Sequence, residues 1–504
     1  MKKYDGLKSF FIISLLSACV ICCTIPFFKT EASSKRIQLV VDLHGYMPSI
    51  SRVPTADNPK VFNSTYYIAK SFMEENPDIE IIWARTKPVG GMDSEVAQWF
   101  TTQIAGETVP AIAFSWGSRY QDRDWYLPLD EYLDSPGSYL YGNEYTTWRK
   151  SFRDYLWNSN SLVDAFGKTV AIPITVFPGA STGYFYNKTA FSASGIEKVP
   201  TTWNEFVQAT QKLEAKGYVG VAPWLYFKTT TTFDAWVFQS VMSPSYSAAI
   251  FDQLDKDGSG IVTTLETVRA CLEGKFSPKY ENGALAKEMY ENLYYYYKNM
   301  LKKGWASIDY NSQWLNGDVG IREEGLWAIP VENSNTVRSF DYGVFVAPLV
   351  SNDSSNYLGE VAYSDGPYQP GPDLSLNIMK AAVKDNPKML DAALRFLKYL
   401  TKPENISLIC VENGGVLGAV KGTNHSNIIN EFIHNKFPIT KQSSWPSGFT
   451  DEYVDQLNRK FEEWTNEIID EEEFLKQVDI IQGKGARKFL DNMGIDYSSW
   501  NIKI

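Results

Sequence analysis

Two spacings of apolar residues take turns along the chain. Ile37-Gln38-Leu39-Val40-Val41 is a short apolar run closing in Asp42-Leu43-His44-Gly45, which predicts a strand and its loop. Thr65 to Glu75 has apolar residues at helical spacing and stops at Asn76-Pro77. Ile79 to Trp83 predicts a second strand, Glu95 to Ala105 a helix ended by Gly106, and Ala111 to Phe114 a third strand. Leu129 to Leu133 begins another helical piece. Strands alternating with helices predict a mostly parallel sheet covered on both faces. Ligands of such sheets sit at the carboxyl ends of strands, which singles out the loops after Val41, Trp83 and Phe114.

Further along, Thr202 reads as an N-cap with Glu205 reaching back, and the helix they open should run to about Lys216 and stop at Gly217. After Asn386-Pro387 a helix runs to Tyr399, with Leu390, Ala393, Leu394 and Leu397 on one face. Thr401-Lys402-Pro403-Glu404 opens the next, and 451 to 491 reads as two charged amphipathic helices. There is no fixed-period repeat and no low-complexity tract.

At 504 residues the chain has room for two or three domains, or for two large lobes. Its 44% hydrophobic and 21% charged residues exclude a wholly disordered polymer. A net charge of −11 argues against a nucleic-acid partner. Aromatic residues, at 14%, suit a surface that grips flat apolar faces such as sugar rings, although core packing can also use them. The three His, at 44, 425 and 434, match neither zinc-ligand spacing nor a His-based relay.

Lys2 and Lys3 followed by an uncharged run from Phe10 to Phe28 read as an export segment, residues 1–32. Three fates compete. Leu16-Ser17-Ala18-Cys19 reads as a lipobox with Cys19 lipidated, Thr30-Glu31-Ala32 offers a cleavage site, and the apolar run could stay as an anchor. Each places the bulk of the chain outside the cytoplasm, at the outer face of the cell membrane or secreted. Cleavage after Ala32 removes four Lys and two acidic residues from a charge of −11, leaving −13. Only Cys271 and Cys410 then remain, so a disulfide framework is excluded.

Six pieces in order carry a resemblance. They are Gly183-Tyr184-Phe185-Tyr186-Asn187-Lys188, Pro200-Thr201-Thr202-Trp203-Asn204-Glu205-Phe206, Gly325-Leu326-Trp327-Ala328, Tyr342 to Leu349, Asn386-Pro387 through Thr401, and Gly414-Gly415-Val416-Leu417-Gly418-Ala419. Together they resemble extracellular solute-binding proteins of bacterial ABC importers, family 1, the maltose- and oligosaccharide-binding type. The resemblance implies an α/β fold of the two-lobe periplasmic-binding-protein type II, each lobe a mixed, mostly parallel sheet flanked by helices. Chain crossings are expected near 178–184, 343–349 and 416–420. The lobes are then 36–178 with 349–416, and 184–342 with 420–504. It further implies a monomer that captures a carbohydrate, uronate-containing oligomers included, in the inter-lobe cleft and hands it to the permease subunits.

Asp255-Lys256-Asp257-Gly258-Ser259-Gly260-Ile261-Val262-Thr263-Thr264-Leu265-Glu266 has the form of a twelve-residue EF-hand loop for Ca2+. Asp255, Asp257 and Ser259 offer side-chain oxygens at positions one, three and five, and Gly260 takes the turn. Ile261 offers its carbonyl, Thr263 stands at nine, and Glu266 supplies two oxygens. Phe251 and Leu254 lead in, and Val268 and Leu272 lead out, at helical spacing. Alginate-binding members of the family are similar in carrying such a loop. A lone loop of this kind staples a lobe more readily than it signals.

For the sugar itself, rings stack on its apolar face and polar groups bond its rim. Trp327 matches the stacking Trp of maltose-type relatives, and Trp116 with Arg119 follows the third strand. Trp224 and Tyr226 follow Val221-Ala222-Pro223, and His44 and Tyr46 lie in the first-strand loop. Asp365 and Tyr368 lie in an expected cleft-side turn, and Trp445 in a tail that often lends a further ring. Trp203 and Trp464, at helical spacing among apolar residues, read as core. The rival reading is a secreted carbohydrate-active enzyme such as a glycosidase, which needs two carboxylates facing one bond. Glu323-Glu324 reads instead as a solvated run, and neither G-x-S-x-G nor H-E-x-x-H occurs.

Overall fold

A computed structural model describes residues 36–48, 63–84, 86–88, 93–114, 120, 123–135, 147–177, 182–224, 232–233, 235–302, 305–365, 372–425, 436–439 and 443–504. The export segment with Cys19 lies outside them. No helix among the described residues is long and apolar enough to cross a membrane.

The three apolar runs expected as strands form β1 (Ile37–Val41), β2 (Ile79–Trp83) and β3 (Ile112–Phe114). The described residues add β4 (Ala171–Val176), β5 (Thr182–Asn187), β6 (Val219–Ala222), β7 (Val319–Gly325), β8 (Tyr342–Val346), β9 (Ala362–Asp365), β10 (Pro372–Ile378), β11 (Leu417–Gly418) and β12 (Lys436–Ile439). The first sheet has the order β11-β4-β10-β3-β1-β2 and the second β6-β7-β5-β8. β9 and β12 form a separate ribbon.

Both sheets are mixed, as expected, with antiparallel pairings outnumbering the parallel ones. β1 pairs parallel with β2 and β3, and β6 with β7. β10 runs antiparallel between β3 and β4, and β5 runs antiparallel to both β7 and β8. The reason is connectivity. A parallel pair needs a helical crossover, whereas strands that enter a sheet from the other lobe arrive reversed.

Helices cover the sheets. The Thr202 cap accepts a bond from Glu205 N and opens helix Trp203–Ala215, after which Gly217 takes φ 88°. Glu205 reaches Thr201 N rather than Thr202 N, so the box closes one residue early. Asn386 caps helix Pro387–Leu400, whose Ala393, Phe396, Leu397 and Leu400 are buried against the first sheet. The tail forms helices Asp451–Thr465 and Glu471–Met493. Trp464 stacks on Phe474 there at 4.7 Å, and Trp203 is buried beside Phe206, both as expected of core residues.

The chain passes from the first sheet to the second between β4 and β5. The later passages differ from expectation. Leu349 O accepts from Trp203 N, Val350 N donates to Ser245, and Asn356 N donates to Glu288, so residues past 349 still pack on the second sheet's helices. Val420 bridges Phe152, and Asn424 N donates to Ser407, so residues 420–424 still belong with the first sheet. Each crossing is displaced because a turn-containing loop stays packed on its own lobe after the strand ends.

Candidate ligand-binding cleft

Register fixes which sheet edges face each other. Thr182 at the start of β5 pairs with Gly325 at the end of β7, and Leu417 pairs with Val176 at the end of β4. The carboxyl ends of β4 and β7 therefore lie on the side where the chain passes between the sheets, and β1 to β3 run in the same sense as β4 and β6 in the same sense as β7. A Cβ at Gly415 would stand 2.6 Å from the Leu326 carbonyl oxygen, so the first sheet's backbone there touches the turn Leu326–Ala328.

On the first edge, Asp42 organises the loops. Its carboxylate accepts from His44 N at 2.9 Å, Phe114 N at 3.3 Å and Lys87 Nζ at 2.6 Å. Lys87 Nζ also donates to Phe114 O at 2.6 Å and lies over the Phe100 and Phe114 rings. Both members of the ion pair are 2% exposed. This pair ties the loops after β1 and β2 to the end of β3, although Lys87 itself carries no sequence signal beyond its place after β2. His44 takes φ 51° and stacks on Phe114 at 4.5 Å. Burial, with Lys87 adding to it against the pull of Asp42, pushes its imidazole down to about 4. A neutral ring at the cleft edge can meet a hydroxyl as donor or acceptor.

Tyr46 corrects an expectation. It is 7% exposed in the first core, and its hydroxyl donates to Asp373 Oδ2 and accepts from Asn413 Nδ2 at 3.0 Å. Thr175 Oγ1 donates to the same Asp373 oxygen at 2.7 Å, and Gly415 N donates to Asn413. A strand-loop Tyr pointing inward gains burial and satisfies a polar network under the junction, so it is a support rather than a stacking surface.

On the second edge, half-buried Trp224 lies stacked on buried Trp236, with centroids 4.1 Å apart and planes at 15°. Trp327 stands in the turn directly after β7. Glu323 and Glu324 are buried, 3% and 5% exposed, contrary to the solvated run expected. The pleat sends them to opposite faces and each finds its own partners. Glu323 accepts from Tyr184 OH at 3.4 Å and Trp224 N at 3.2 Å. Glu324 pairs with Arg322, which also reaches Glu332 at 3.3 Å. Trp445 is 2% exposed, edge-on to Phe276 at 4.9 Å and donating to Tyr290, so it is core and not a lent ring. Asp365 ends β9 in register with Lys436. Trp116, Arg119, Tyr226 and Tyr368 lie outside the described residues.

Comparison with known proteins decides the family. The description bacterial extracellular solute-binding protein matches residues 56–406, more than half of the chain. The chain belongs to the bacterial extracellular solute-binding proteins. It is similar to the multiple sugar-binding protein of Streptococcus mutans, 21% identical over 434 residues and covering 84% of each. A family 1 extracellular solute-binding protein from Bifidobacterium longum subsp. infantis shares its fold at 16% identity and TM-score 0.56, over 89% of this chain and 100% of the other. A chitin oligosaccharide binding protein does so at 15% identity and TM-score 0.59, over 90% and 99%.

Away from the cleft, this solute-binding protein carries a carboxylate cluster. Asp255, Asp257 and Glu266 each offer an oxygen, all within 4.8 Å of one another. Gly258 and Gly260 take φ 70° and 82°, which lets Ser259 N and Gly260 N turn back on Asp255 at 3.0 Å. Ser259 Oγ lies 3.0 Å from Ile261 O. Thr263 caps helix Thr264–Leu272 in a full capping box, its N and Oγ1 both donating to Glu266 at 2.9 Å. The T-x-x-E signal for that box was in the sequence beside the loop pattern. Phe251, Leu254, Val268 and Leu272 are all buried. Hard carboxylate, hydroxyl and carbonyl oxygens on a glycine-turned loop fit the chemistry of a calcium ion, which Asp255, Asp257, Ser259, Ile261, Thr263 and Glu266 would hold.

Two buried acids near the junction give the fold a pH dependence. Burial pushes the Glu323 carboxyl up to about 7 against its two hydrogen bonds, and Asp373 up to about 6. Acids raised on folding hold protons that the unfolded chain has already released, so their contribution is fully present at low pH and lost as pH rises through about 7. Glu323→Gln is expected to gain on the wild type by up to about 3 kcal/mol between about pH 5 and about pH 8. Melting curves across that range check it. A Gln effect that does not vary with pH would contradict it.

Proposed function

We propose that the chain is the substrate-binding component of an ABC importer, exported and held at or released from the outer face of the membrane, that captures a carbohydrate between its lobes. It passes the sugar unaltered to the permease and acts as a monomer without catalysis. The observation that carries this is the pairing of aromatic and polar groups on opposed sheet edges. Trp224 on Trp236 and the Trp327 turn stand on one side, and neutral His44 beside the Asp42–Lys87 pair on the other. Flat rings with hydrogen-bonding partners around them suit a sugar's apolar face and hydroxyl rim. The similar sugar-binding and chitin-oligosaccharide-binding proteins support the same class of ligand. Calcium, in this reading, occupies the 255–266 loop and staples the second lobe. We place its holders as the six residues named above.

A thermal-shift screen over neutral and uronate oligosaccharides tests the ligand class. A raised melting midpoint with one sugar family is expected, and no response across the panel would count against it. Against that sugar, Trp327→Ala and Trp224→Ala are each expected to weaken binding by about 1–3 kcal/mol, read by calorimetry. Unchanged affinity would reassign the ring to packing.

A further inference from the structure

We infer that Glu323 is a positioning residue of the cleft, its buried carboxyl group holding the backbone N–H of Trp224 and so keeping that ring flat on Trp236. This rests on the reading of Trp224 as a ligand contact. β6 is an edge strand and ends at Ala222, and Pro223 has no N–H to give. The N–H of Trp224 is therefore the first donor beyond the sheet, and it goes to Glu323 Oε2 at 3.2 Å. The other carboxyl oxygen faces Tyr184, its cross-strand neighbour on β5. Trp236 covers one face of the Trp224 ring, which remains half-buried.

The choice of residue is costly. Tyr184, Tyr296 and Glu324 are the titratable groups acting on or facing Glu323, and among the described residues no cation pairs with it. An apolar side chain would fill the same space without the burial penalty. Only a side chain with an oxygen at this reach can receive the Trp224 N–H. The neutral acid still serves, because its carbonyl oxygen accepts from Trp224 while its O–H donates to the Tyr184 oxygen. Glutamine has the same two faculties, through its carbonyl and its NH₂.

The consequences separate a tether from a general role in folding. Hydrogen exchange of the ligand-free chain reports the Trp224 amide directly. In Glu323→Ala that amide is expected to exchange about tenfold faster, with β7 and Tyr184 keeping their protection. Glu323→Gln should hold the wild-type rate, and Tyr184→Phe should too, since it removes only the other partner. Glu323→Leu serves as the same test should the alanine variant fail to fold. Acrylamide quenching, referenced to Trp224→Phe, should rise for Trp224 in the Ala or Leu variant alone. A wild-type Trp224 rate in Glu323→Ala or Glu323→Leu overturns the inference, as does a Gln variant that loosens as fully as Ala. Because no sugar is used, a Trp224→Ala variant that binds sugar normally faults the ligand-contact reading and leaves the tether standing.

Discussion

Replacing Asp42 with Ala is expected to destabilise the fold by about 3–5 kcal/mol. The substitution leaves the Lys87 ammonium, 2% exposed, with the Phe114 carbonyl as its remaining oxygen partner among the described residues, and it strips an acceptor from His44 N and from Phe114 N. A lone buried charge costs far more than the pair it came from. Burial already pulls the Lys87 ammonium below its usual range, with Asp42 pulling it back up. Removing that pull should let Lys87 deprotonate or draw in water, and the loops after β1 and β2 should loosen from the end of β3. The double variant Asp42→Asn with Lys87→Met should recover much of the loss, because it removes both charges while Asn keeps an acceptor. Urea unfolding of the single and double variants provides the check. A loss below about 1 kcal/mol for Asp42→Ala, or a double variant no better than the single, would show that the pair does not organise this edge.

Chelation has the second large effect. Three carboxylates within 4.8 Å of one another repel in the absence of a cation, and a calcium ion bound at one hundred times its dissociation constant would add about 2.7 kcal/mol to the folded state. Removing calcium with a chelator should therefore lower the melting midpoint, and adding it back should restore it. Asp257→Ala is the informative variant, since the Asp257 carboxylate is fully exposed and receives Ser259 N at 2.9 Å. It should cost little in chelator and abolish most of the calcium-induced rise. Identical melting curves with and without chelator would remove calcium from the account.

Much of this was legible in the residues because local signals and tertiary packing agree. The strand Ile79–Trp83 and the helix closed by Gly217 follow from apolar spacing, a cap and a left-handed glycine. What stayed hidden depends on contacts distant in sequence. The Glu323-Glu324 pair looks solvated until Tyr184, Trp224 and Arg322 are brought to it from three other places. Tyr46 and Trp445 look like ligand rings because composition cannot tell an aromatic facing the core from one facing a cleft. Lys87 was invisible for the opposite reason, since a lysine in a loop is ordinarily solvated and only the fold buries it against Asp42. The later crossings lie beyond their expected positions because a strand's end is not its lobe's exit: Leu349 and Asn424 still bond within their own lobes.

Native mass spectrometry of the chain incubated with a panel of neutral and uronate oligosaccharides tests capture without chemistry most directly. The expected spectrum shows the protein carrying one sugar of intact mass, unchanged over hours. A spectrum with no complex for any sugar, or one in which the carried mass shortens with time, would contradict the account.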